Sequence, residues 1–155
     1  MRIKPLMISL AFCLALIAAP AAYAQGGVKT GPDPSTLRDP DLEKDSLHNL
    51  EVARNYFKLK KAYVASLRRC EEIIAGNPNF SKIEEVLLIA GRSSLSLADN
   101  KGKQAPSLYS KATTSEEFRD MGRDYLTKLV KEYPDSPYAK DAQDDLKTLG
   151  TKPGP

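Results

Sequence analysis

Apolar residues recur at helical spacing through most of this chain, and no convincing alternating strand interrupts them. Five amphipathic stretches follow. Leu50, Ala53 and Phe57 line the first, roughly 43–59. Tyr63, Leu67, Cys70 and Ile74 line the second, which stops at Gly76 with Pro78 two residues on. Glycine accepts the left-handed conformation that ends helices, and proline cannot continue one. The third carries Ile83, Leu87, Ala90 and Leu97 behind Ser81-Lys82-Ile83-Glu84, the spacing of a capping box. A polar insert, "DNKGKQAPSLYSKAT", precedes the fourth, which restarts at a second box, Thr114-Ser115-Glu116-Glu117, and aligns Phe118, Met121, Tyr125 and Leu129. The fifth has Ser136 as its expected N-cap, Pro137 at the first helical position, and Ala139, Ala142, Leu146 and Leu149 as its stripe.

The punctuation between helices repeats. "EEIIAGNPNF" follows the second helix and "TKLVKEYPDS" the fourth, each with two aliphatics, three further residues and a proline. A lone helical hairpin needs no such phrase; a stack of hairpins needs it after each one. The tetratricopeptide repeat is a 34-residue helix-turn-helix with small and large residues at set places. With its last proline on Pro78, Leu50 takes the Trp position, Ala53 the Leu, Phe57 the Tyr, Ser66 the small Ala and Cys70 the Phe; Arg54 stands where Gly is usual. In the second repeat Ala90-Gly91 matches Leu-Gly, Gly122 the small Ala and Pro134 the proline. Pro78 and Pro134 are 56 residues apart, so the second repeat carries an insert of about 20 residues, centred on roughly Asn100 to Thr113.

"ARNYFKLKKAYVASLRRCEEIIAGNPNF", a long third helix, an insert, and "YLTKLVKEYPDSPYAKDAQDDLKTL" together resemble the BamD-like (outer-membrane assembly lipoprotein) tetratricopeptide proteins over residues 46–149. The "YPxSxYAxxAxxxL" phrase is typical of that family. The resemblance implies a scaffold role in envelope protein assembly. Two features depart from the pattern. Gln25 stands where the family usually has a lipidated cysteine after its signal, and the family commonly has more than the two and a half repeats read here.

The start of the chain explains the first departure. Residues 1–24 combine a basic start (Arg2, Lys4), an apolar run from Leu6 to Ala19, and Ala22-Tyr23-Ala24 before Gln25. That is the arrangement of a signal peptide cleaved after Ala24, and the run is short for a membrane span, which needs about 20 residues. Phe12 precedes Cys13 where a lipobox has a small residue, so a mature protein without lipid is expected. Residues 25–42 read as a flexible Pro/Gly-rich leader, 43–149 as the repeat domain and 150–155 as a frayed tail. Removing Arg2 and Lys4 lowers the formal charge of +3 by two, so charge gives no argument for nucleic acid. The expected location is periplasmic or secreted, peripheral to the outer membrane.

Candidate chemistry is sparse. His48 is the single histidine, which excludes a His-based metal cluster or a Ser-His-Asp arrangement. Glu71-Glu72, Glu84-Glu85 and Glu116-Glu117 are adjacent on helices and point apart, so they are no acid/base pairs. Cys70 lies on an apolar stripe and reads as a core residue, leaving no internal disulfide in the mature chain. No enzyme activity, metal or cofactor is expected. Lys58, Lys60, Lys61, Arg68 and Arg69 form a basic cluster, read as hydrated surface or as a docking spot for an acidic segment. An all-α, tetratricopeptide stack of about two and a half repeats and five helices leaves a groove lined by the first helix of each hairpin. The register places His48, Glu51, Asn55, Lys58, Glu85 and Arg92 on that groove for a protein or peptide partner in the envelope. Leu108 and Tyr109 in the insert are either a second docking element or a flap over the core. A self-associating structural component, stacking its open end on a second copy, is the alternative, together with a cell-division or polysaccharide-export type repeat adaptor.

Overall fold

A computed structural model describes residues 38–150. The signal, the lipidation question, most of the leader and the last five residues lie outside them. The described residues form five α-helices: α1 (Pro40–Asn55), α2 (Tyr63–Gly76), α3 (Ile83–Ala98), α4 (Ser115–Glu132) and α5 (Ala139–Leu149). α1–α2 and α3–α4 are the two hairpins, and α5 opens a third unit, with α3 packed against both α2 and α4. No helix among the described residues is long and apolar enough to cross a membrane.

α1 begins three residues before the expected start. Asp39 Oδ1 accepts from the backbone N–H of Asp41 (2.8 Å) and Leu42 (3.3 Å), and Pro40 supplies a preset φ where no donor is needed. At its other end the helix does not run regularly to residue 59. It widens into a π-turn over Tyr56–Lys60 that Lys61 ends in the left-handed region (φ 49°), with Ala62 N–H bonded to Tyr56 O at 2.9 Å. Phe57 still meets Tyr63 edge-on, with ring centroids 5.4 Å apart, so the stripe survives the change in winding.

The Thr114 capping box forms in full. Glu117 N–H reaches Thr114 Oγ1 at 3.2 Å, and Thr114 N–H reaches Glu117 Oε2 at 2.6 Å. The box expected at Ser81 does not form. α3 starts at Ile83 behind Lys82, without a side-chain cap. Ser81 N–H is instead taken by Glu43 Oε1 of α1 (3.2 Å), and two short-range bonds, Phe80 N to Asn77 O and Ile83 N to Phe80 O, tighten the approach. α5 likewise starts two residues beyond Pro137, at Ala139. Ser136 Oγ still accepts Tyr138 N–H at 3.1 Å, so the capping bond exists while the first turn is too tight to count as α-helix.

The core joins all five helices, with Leu50, Leu67, Cys70, Leu87, Leu97, Phe118, Leu126 and Leu129 fully enclosed. Each such Leu or Phe contributes about 1.5–3 kcal/mol of transfer free energy. α3 is buried nearly all round: Val86, Leu88 and Ile89 join the stripe of Ile83, Leu87, Ala90 and Leu97. A helix covered on two sides needs that composition. The hairpins cross closely. A Cβ added at Gly91 would lie 2.7 Å from Leu126 Cγ, and one at Gly122 only 2.6 Å from Leu95 Cδ2. In the first hairpin the matching position, Ser66, donates from its hydroxyl to Ala53 O at 3.1 Å and accepts from Ser93 Oγ at 3.2 Å.

Candidate functional site

The first helices of the units, α1, α3 and α5, are tied together by polar bridges. Arg54 of α1 forks onto Glu85 of α3, with Nε–Oε1 at 2.6 Å and Nη2–Oε2 at 2.5 Å. Tyr138, at the entrance to α5, donates its hydroxyl to Glu85 Oε2 at 3.1 Å. Two turns along α3, Arg92 reaches Asp145 (Nε–Oδ2, 2.6 Å) and Asp141 (Nη2–Oδ2, 3.2 Å) of α5. Arg54 occupies the repeat position where glycine is usual, and this fork is its use. The bond from Arg54 holds the Glu85 carboxyl below the usual carboxylate range, burial opposes it, and Tyr138 adds to it.

Beyond the Arg92 bridge lies a cleft of about 500 Å³. Phe57, Leu95 and Leu149 supply apolar surface, while Ser96 and Thr148 add hydroxyls. Asp99 and Arg119 stand at its rim with Lys101; Asp99 accepts from Lys101 Nζ at 2.9 Å and from Arg119 Nη2 at 3.3 Å. The hydrogen bond from Lys101 holds the Asp99 carboxyl below its ordinary range; burial opposes it, and Arg119 adds to it.

Of the six groove positions expected from the register, Arg92 lines this cleft and Glu85 belongs to the bridge beside it, each already paired within the chain. His48, Glu51 and Asn55 are exposed on α1, and Lys58 on the π-turn Tyr56–Lys60, all outside the cleft. Leu95, Ser96, Asp99, Arg119 and Thr148 were not expected. The α3 members were within reach, since 92, 96 and 99 continue the helical face begun at 85. Arg119 and Thr148 arrive through tertiary packing and leave no local signal.

The structure separates the insert pair. Tyr109 folds inward: its ring meets Phe118 edge-on at 5.4 Å, and its hydroxyl donates to Glu71 Oε1 at 2.8 Å. Burial, then the Glu71 contact, pushes its phenol up to about 12. Leu108 stays 58 % exposed, while Arg68 holds its carbonyl at 2.8 Å. Cys70 is enclosed, and burial, with the charges of Glu71 and Glu85 behind it, pushes its thiol far above the ordinary range. An inert core thiol results.

The model of the YfiO outer membrane lipoproteins matches residues 49–152. The chain belongs to the YfiO family. No curated protein and no solved structure matches it. The match runs from the second half of α1 through α5, so cleft and bridges lie within the YfiO region, as the BamD-like resemblance of residues 46–149 anticipates.

Proposed function

We propose that the protein is a non-enzymatic scaffold of the bacterial envelope that receives an extended or helical segment of a partner protein in the cleft between the π-turn, α3, α5 and the start of α4. The observation that carries this reading is the cleft itself: an apolar floor of Phe57, Leu95 and Leu149 beside charges fixed by Arg92–Asp145 and Asp99–Arg119. The YfiO match supports an outer-membrane setting, and outer-membrane protein assembly is the process the BamD-like resemblance implies. The first-helix stripe of His48, Glu51, Asn55 and Lys58 extends the contact surface along α1. Self-association through α5 has less in its favour, because the far side of that helix exposes Lys140, Gln143 and Lys147, with Asp144 bonded to both lysines. Terminal faces of that polarity suit solvent.

The test is affinity purification from crosslinked envelopes, comparing the native chain with Ser96→Arg and Thr148→Arg. Both substitutions fill the cleft from half-exposed or exposed positions and leave the core intact. A specific partner recovered with the native chain should be lost with either variant. Undiminished recovery from both variants contradicts the reading.

A further inference from the structure

The two most exposed large apolar side chains among the described residues are Leu59, at 77 %, and Leu108, at 58 %. Leu59 belongs to the π-turn that ends the first helix, and Leu108 to the insert. Leu59 stands three residues from Tyr56 on the π-turn, and Tyr56 and Leu108 line a shallow notch of about 420 Å³. The insert is fastened here. Lys103 N–H donates to Lys61 O at 2.9 Å, and Gln104 Oε1 accepts Ala65 N–H at 3.0 Å. Gly102, at φ +94°, passes so close that a Cβ would sit 2.5 Å from Lys61 O. The contact brings Lys103 beside Lys58, Lys60 and Lys61, all four exposed.

The charge is unbalanced. Among the described residues none of these four lysines lies within ion-pair distance of a carboxylate, and Arg68 bonds carbonyls of the insert rather than a carboxylate. Lys60 lies over the Tyr56 ring, 5.0 Å from its centroid. The neighbouring acids are committed elsewhere: Glu72 to Arg69, Glu85 to Arg54, and Glu71 to the Tyr109 and Tyr125 hydroxyls. This surface combines two protruding leucines, a tyrosine and four exposed lysines.

We infer that this tip of the molecule, Leu59 and Leu108 with Tyr56 and Lys58, Lys60, Lys61 and Lys103, docks on an anionic phospholipid surface. Isolated leucines projecting from a turn bury little against a rigid protein surface unless pockets match them. A fluid bilayer interface accepts them wherever they fall, with tyrosine at headgroup depth and lysines reaching phosphates. Each lysine near an anionic leaflet strengthens attachment about fivefold, and the attraction fades beyond a Debye length. The tip shares Lys58 with the stripe along the first helix but none of the residues that line the cleft.

Vesicle co-sedimentation of the purified protein tests this, with phosphatidylcholine alone or mixed with phosphatidylglycerol. The native chain should bind the mixed vesicles, weaken as salt rises, and ignore the neutral ones. Leu59→Ser should weaken binding about tenfold, and Lys58→Ala with Lys61→Ala about 25-fold together. These positions are exposed, so unchanged melting temperatures will show that the variants are folded. No binding to the mixed vesicles overturns the inference, as does binding that Leu59→Ser leaves unchanged. Lysine-dependent capture of a polyglutamate peptide without vesicle binding also overturns it, and assigns the tip to an acidic protein segment.

Discussion

The two hairpins solve the same packing problem with different chemistry. In α3–α4 the crossing is made by absence: Gly91 and Gly122 face Leu126 and Leu95 with no room for a Cβ. In α1–α2 it is made by a bond, from the Ser66 hydroxyl to Ala53 O, which Ser93 extends into the second hairpin. The connections differ in the same spirit. α1 passes to α2 through a π-turn and two residues, whereas α3 passes to α4 through the insert, which leans back on α2 by way of Gln104, Arg68 and Tyr109. The hairpin with the tighter crossing thus has the longer loop, and that loop is anchored on its neighbour. Repeat identity is a matter of backbone distance, which a small side chain or a hydroxyl meets equally well.

Gly91→Val breaks the comparison hardest. Its side chain must displace Leu126 in a packed core, so a loss of about 3 kcal/mol is expected in urea unfolding. The insert comes next. Tyr109→Ser removes a ring from Phe118 and a bond from Glu71 and should cost about 1–2 kcal/mol, while Leu108→Ser should stay within about 0.5 kcal/mol. Equal effects of the two would mean the loop is not anchored as described. Ser66→Ala should cost about 1 kcal/mol, because a buried bond is lost and Ser93 keeps no acceptor there.

The Arg54–Glu85 fork adds a smaller, pH-dependent effect. Glu85 titrates below its unfolded value, chiefly through the Arg54 bond. As pH falls the unfolded chain takes up that proton first. Stability from the fork is therefore complete above about pH 4.3, the ordinary glutamate value, and is lost as pH drops through the lower folded one. Glu85→Gln should flatten the acid limb of the stability profile without erasing it, since Asp99 and Asp144 are also held low by lysine partners.

Helix number, the proline punctuation, the interrupted period and the Thr114 box were legible because each is local. Cys70 was legible because one stripe position decided it. Ser81 misled for a physical reason: its N–H has two suitors, and Glu43, 38 residues away, wins it. Periodicity reads one face at a time, so Val86, Leu88 and Ile89 were overlooked on a helix enclosed from both sides. Glu85 and Arg92 were read as groove positions, but a pattern of charged residues does not tell which are paired internally, as both are here. The π-turn and the anchoring of the insert rest on contacts such as Arg68 to Leu108, 40 residues apart, which no window of sequence contains.

The claim that matters most for function is that the cleft beside the Arg92 bridge is the partner surface. A photo-crosslinking amino acid placed at Ser96 within the cleft, or at Gln143 on the exposed far side of α5, tests it in native envelopes. The account predicts a discrete protein adduct from Ser96 and none from Gln143. Adducts from Gln143 alone would contradict it.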